Sequence, residues 1–156
     1  MRVEFINPFV QAAFSVLKSL IGADASRGEL SLKGKGFLSP EVTITAGVVG
    51  MVEGTVFYGM AEQTALAIAG QMMGGMEIAE FDELAKSAVS ELANMITGNA
   101  ATGLSEAGFE CDITPPTVVE GREVKVTTVE RTLCIPVDTD HGIIEIIVGL
   151  QEAKQT

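Results

Sequence analysis

The sequence holds a single histidine, His141, and only two cysteines, Cys111 and Cys134. No Cys/His cluster has ligand spacing, which argues against a protein-bound zinc site. The two cysteines stand apart in apolar or strand-like surroundings. They read as buried thiols of a reducing cytoplasm rather than as a disulfide. No apolar run approaches the length of a membrane span. The amino terminus, with one Arg, Glu4 and then Asn7-Pro8, carries no secretory cleavage pattern. There is no GxSxG, no P-loop and no GxGxxG. Lys35 between Gly34 and Gly36 lacks the remainder of a phosphate loop and reads as a strand turn. Basic residues are scarce: 10 Lys and Arg against 21 Asp and Glu give a net charge of −11, so nucleic acid and anionic membrane are poor partners.

What is present is apolar and patterned. A chain of 156 residues, 47% hydrophobic and with seven Phe, suits one folded domain over 1–156 with a real core. The stretch from Phe81 to Gly108 predicts its longest helix, roughly 40 Å at 1.5 Å per residue. Asp82 is placed to cap it, Glu83 suits the first turn, and Gly108 can stop it. At 100° per residue, Ala85, Val89, Leu92, Ile96 and Ala100 fall on one stripe, which must be buried. Ser87, Glu91, Asn94 and Gly98 fall on the opposite stripe, facing solvent. Asn is a mediocre helix former and Gly98 costs about 1 kcal/mol relative to Ala, so their place in mid-helix asks for a reason. Leu84 and Met95 flank this polar stripe, while Glu83 and Lys86 read as solvating residues.

Elsewhere the chain divides into one more long helix, a short one and two hairpins. Residues 3–22 predict a helix with Asn7 as N-cap and Pro8 at the first helical position. Its apolar face is Phe9, Ala13, Val16, Leu17 and Leu20, and Gly22 ends it. Residues 28–38 predict an edge strand, with Lys33 and Lys35 discouraging edge-to-edge pairing. Val42 to Gly50 and Gly54 to Met60 predict a hairpin. Residues 61–73 predict a second helix closed by Gly74-Gly75, with Met72, Met73 and Met76 as adaptable core packing. After Gly108 the chain to Gly121 is extended, because each residue before a proline is pushed toward β. Residues 121–130 read as either a strand or a surface loop. A hairpin follows, with arms 131–137 and 142–150 and a turn at 139–142. Pro136 puts its first arm at an edge or bulge, and the apolar second arm is central. Helix 3–22 with the first hairpin is echoed by helix 82–107 with the second. The expected fold is therefore a layered α/β (α+β) domain, mainly antiparallel, with a long central helix and a pseudo-twofold internal repeat.

The segment Ser87-Ala88-Val89-Ser90-Glu91-Leu92-Ala93-Asn94 also forms a signature. Ser/Asp, three residues, Glu, two residues, Asn, and a Pro some two dozen residues on resembles the phosphatase motif of the CheC, FliY and CheX family. Here 21 residues separate Asn94 from Pro116, slightly fewer than is usual in that family. The opening INPF before an amphipathic helix looks like that of CheX proteins. The first helix carries no such pair on an exposed central turn: its Glu4-Phe5-Ile6-Asn7 lies at the helix entrance. CheC and FliY commonly carry two motifs and CheX one, so CheX is the nearer match. The resemblance covers nearly the whole chain in layout, but its specific part is under thirty residues.

The resemblance implies a CheC-like fold and a phosphatase acting on the aspartyl phosphate of a CheY-like response regulator, ending a chemotaxis signal. In such enzymes the regulator supplies Mg²⁺ and a Lys around the phosphoryl group, so the helper need only orient the attacking water. By this resemblance Asn94 would position the water and Glu91 would pair with the regulator's Lys and fix the docking register. Ser87 belongs to the pattern as a neutral surface position, Met95 would be an apolar contact for the partner, and Gly98 would leave room for its loops. No cofactor is implied on this chain, Mg²⁺ is expected on the partner, and a homodimer with sheets extended across its interface is implied. Two other readings stay open: an adaptor of the same fold that binds a receiver without hydrolysis, and a structural or ligand-binding dimer outside phosphorelay.

Overall fold

A computed structural model describes residues 3–22 and 24–154. Arg2, on which the reading of the amino terminus partly leaned, lies outside them. The first helix, α1 (Val3–Ile21), starts earlier than its capping pattern predicts, and Pro8 sits inside it. Asn7 is therefore not the N-cap. Phe5 and Ile6, upstream of the expected start, are buried against the core and carry the helix back past the proline. At the sixth helical position Pro8 lies past the first turn, so it removes the bond its nitrogen would make to the Glu4 carbonyl, a cost that the burial of Phe5 and Ile6 offsets.

Eight strands follow in one sheet: β1 (Ser26–Arg27), β2 (Ser31–Leu38), β3 (Val42–Gly50), β4 (Val52–Met60), β5 (Cys111–Ile113), β6 (Thr117–Glu120), β7 (Lys125–Thr139) and β8 (Gly142–Glu152). Two helices, α2 (Glu62–Met72) and α3 (Glu83–Glu106), separate β4 from β5. The sheet order is β1-β7-β8-β4-β3-β5, with β2 also on β7 and β6 also on β3. Every described pairing is antiparallel. The pattern reads alike from both ends. Each half supplies a helix, two short strands and a hairpin. The short strands of each half lie along the outer strand of the other half's hairpin. The internal repeat is thus an exchange, in which each half completes the other's sheet.

Alternation decides which sheet face carries the core. Val42, Ile44, Ala46 and Val48 of β3 point one way, as do Val56, Tyr58 and Met60 of β4 and Ile144, Ile146 and Val148 of β8, and all are buried. Most of these pack with α1, α2 and α3 in the main core. A small second cluster covers part of the other face: Phe57, Cys134 and Ile147, with Phe37 laid edge-on to Phe57 at 5.0 Å. Gly54 sits at φ +146, where a Cβ would collide with the Gly149 carbonyl, so β4 approaches β8 there as only glycine allows.

One open alternative closes here, and two local expectations need correction. Residues 121–130 are mostly strand, because β7 runs unbroken from Lys125 and pairs with β2. Lys35 and its glycines lie inside β2, at register shifts rather than in a turn. Met76 is 57% exposed, so only Met72 of the methionine cluster packs against the core. Pro136 falls where β1 gives way to β2 along β7, so the break it requires is present. Both cysteines are free thiols, Cys134 buried and Cys111 half-buried. Among the described residues no helix is long and apolar enough to cross a membrane.

Candidate functional site

Helix α3 is built to hold one face still and offer the other. Asp82 caps it, accepting from the Ala85 N–H at 2.9 Å. Ala85, Val89, Leu92, Ile96 and Ala100 are all buried, as their spacing requires. Burying each large apolar side chain contributes about 1.5–3 kcal/mol, which fixes the helix's rotation on the sheet. One polar tie adds to this. Thr97 Oγ1 donates to the Ala93 carbonyl at 2.7 Å, and the buried Tyr58 hydroxyl lies 2.6 Å from Thr97 Oγ1.

The opposite stripe opens on a groove of about 750 Å³. Ser87, Ser90, Glu91 and Asn94 line it from α3, and Ile113, Thr114, Pro115, Pro116 and Val118 line it from the β5–β6 segment. Glu91 is exposed and Asn94 half-buried, one turn apart on the same face. The helix and the distant proline of the sequence signature therefore meet as two walls of one cleft. Met95 and Gly98 do not line it. Met95 is partly buried against the main core, and Gly98 lies beside Ile113. A Cβ on Gly98 would meet only Ile113 Cδ1, at 3.7 Å, so packing within the chain does not demand glycine there.

Lys86 and Glu83, solvating residues by their sequence pattern, also line the groove. Lys86 Nζ stands 2.8 Å from Glu120 Oε1 and 3.3 Å from Glu83 Oε1, tying α3 to β6 at one end of the groove. Glu120 first and Glu83 second raise its pKa. The sequence held no local sign of this tie, because Glu120 comes from a strand brought alongside by its pairing with β3. With Lys86 held by Glu83 and Glu120, Glu91 is the acidic lining group without an ion pair among the described residues. Among the described residues no hydrogen bond or ion pair occupies the Glu91 carboxylate or the Asn94 carboxamide. No group of three or more His, Cys, Asp or Glu side chains among them could hold a metal ion. The groove can thus offer one carboxylate and one neutral group that both donates and accepts, on a rigid helix, with prolines opposite.

An antiparallel sheet of exchanged halves behind a helix with such a groove defines a domain of the CheC-like class. The sequence profile of the family Chemotaxis phosphatase CheX matches residues 42–138. The chain is 34% identical over 137 residues to the CheY-P phosphatase CheX of Thermotoga maritima, covering 88% of each chain. A CheC-like superfamily protein from Shewanella sp. PV-4 superposes with a TM-score of 0.86 at 29% identity, over 97% of this chain and 99% of that one. The Borrelia burgdorferi protein crystallised as a CheX-CheY-BeF3-Mg²⁺ complex gives 0.82 at 31%, over 97% and 100%. This chain belongs to the CheX family of chemotaxis phosphatases.

Proposed function

We propose that this chain hydrolyses the aspartyl phosphate of a CheY-like response regulator, with Asn94 orienting the attacking water and Glu91 setting the docking register. The observation that carries the reading is the convergence of the unoccupied Glu91 and Asn94 side chains with Pro115 and Pro116 on one open groove. The phosphatase activity named for the Thermotoga relative and the CheX-CheY complex of the Borrelia relative support it. In the reaction, water attacks phosphorus in line with the bond to the aspartyl oxygen. That bond breaks, the carboxylate leaves, and the water's proton passes to solvent or phosphate. Mg²⁺ and the receiver's Lys, both expected on the partner, would stabilise the phosphoryl charge. Asn94 accepts from the water through its oxygen while its NH₂ faces a phosphoryl oxygen, so no negative charge is brought against the phosphoryl group. Glu91 supplies the anion for the receiver's Lys, giving orientation more than raw affinity.

The reading includes a homodimer joined through sheet edges. It is supported by β2, whose described partner is β7 alone, and by Leu32 and Val129, which are 81% and 80% exposed beside that edge. The phosphatase reading is tested by the decay of a phosphorylated CheY-like receiver with catalytic amounts of this protein, wild type beside Asn94→Ala. Accelerated decay by the wild type alone is the expected result. No acceleration by the wild type, with retained binding, would leave an adaptor in its place.

A further inference from the structure

The groove wall facing Asn94 is held by a lock that regular strand pairing does not supply. β3 pairs with β6 as far as Thr45, opposite Thr117, and with β5 from Val48, opposite Ile113. In between, Ala46 and Gly47 of β3 face Thr114, Pro115 and Pro116. Two residues against three make a bulge. Neither proline has an N–H to give the ladder. The Thr114 N–H donates to the Gly47 carbonyl at 2.9 Å, and the Gly47 N–H donates to Thr114 Oγ1, also at 2.9 Å. A side-chain hydroxyl thus takes the place of a backbone carbonyl. Gly47 is glycine for a steric reason: a Cβ there would stand 2.6 Å from Thr114 Oγ1 and 3.2 Å from its Cγ2. The Gly47–Thr114 pair is thus the hydrogen-bonded link between the β5 and β6 registers across this bulge.

We propose that Thr114 is a positioning residue of the groove. Its hydroxyl, anchored on the Gly47 N–H, fixes the Pro115–Pro116 wall at a set distance from the Glu91–Asn94 stripe. That distance sets the width into which a receiver's active-site loops fit, and so the pose in which Asn94 meets the acyl phosphate. The inference rests on the phosphatase reading and deepens it.

The test uses the full chain and a phosphorylated CheY-like receiver, with saturation curves for wild type, Thr114→Val and Thr114→Ser, and amide exchange at Gly47. Thr114→Val keeps shape and removes the acceptor; Thr114→Ser restores it. Thr114→Val is expected to speed Gly47 exchange, lower the saturating rate on the order of tenfold and raise KM, because misplaced reacting groups lose rate steeply. Thr114→Ser should recover both constants. Gly47→Ala displaces the same hydroxyl from the strand side and should give the same loss, should Thr114→Val prove too unstable to assay. A folded Thr114→Val with fast Gly47 exchange but wild-type kcat and KM overturns the positioning role alone. A wild type inert toward the receiver overturns the phosphatase reading, and the positioning role falls with it.

Discussion

Tyr58 and Thr97 form the polar tie beneath the helical turn that carries Asn94, and its worth can be worked from the structure. Tyr58 is 1% exposed and Thr97 fully buried. Thr97 has one hydroxyl proton and spends it on the Ala93 carbonyl, so the 2.6 Å contact must have Tyr58 as donor. Burial pushes the phenol's pKa well above its usual range, which keeps that donor protonated. Tyr58→Phe removes the donor and leaves Thr97 still bonded to Ala93, a loss of about 1 kcal/mol. Thr97→Val leaves the phenol buried with no acceptor, which costs about 2–3 kcal/mol. Val and Thr have similar helix propensities, so little of that difference comes from the helix itself. The double variant has no orphaned group and should fall close to Tyr58→Phe, giving a coupling of about 2–3 kcal/mol. In a chain of this size each kcal/mol moves Tm by about 2–4 °C, so Thr97→Val should melt about 4–12 °C lower than wild type. Thermal and urea unfolding of the four proteins read the cycle. Additive losses, or Thr97→Val no worse than Tyr58→Phe, would refute the donor assignment.

Two further outcomes are expected. Leu32→Glu should convert a dimer to a monomer by light scattering, because it places a charge on the exposed edge of β2; a wild type that is already monomeric at micromolar concentration rejects the sheet-edge dimer. Burial first, and then the Glu145 carboxylate 3.2 Å away, push the Cys134 thiol from 9.0 up to about 12. The folded chain therefore keeps a proton that the unfolded chain loses. This contribution is intact below the ordinary thiol range and is lost as pH rises toward about 12, at up to about 1.4 kcal/mol per pH unit. Cys134→Ala should flatten that fall in alkaline urea titrations, and an unchanged slope would contradict it.

Helical periodicity made α3 legible in detail: its buried stripe and its Asp82 cap are where the spacing puts them, and Ser87, Glu91 and Asn94 of the opposite stripe line the groove, while Gly98 does not. Strand alternation and turn residues likewise gave both hairpins. At the start of α1, Asn7-Pro8 imitates a capping pattern, while the burial of Phe5 and Ile6 that overrides it depends on packing. The first part of β7 was ambiguous because its residues are mostly polar and partly or fully exposed; it is strand only because β2 pairs with it. The same limit applied at the groove. Glu91, Asn94 and Pro116 stood out as a signature, but Lys86–Glu120 and Gly47–Thr114 join residues far apart in sequence that only sheet pairing brings together.

The most direct measurement of Asn94's role is single-turnover decay of a phosphorylated CheY-like receiver, with this protein in saturating excess, beside the affinity of each variant for a beryllofluoride-activated receiver. Wild type should decay on the order of a hundredfold faster than Asn94→Ala, since the water is left unoriented, with affinity unchanged. Asn94→Ala decaying at the wild-type rate while still bound would contradict the assignment of water positioning to this side chain.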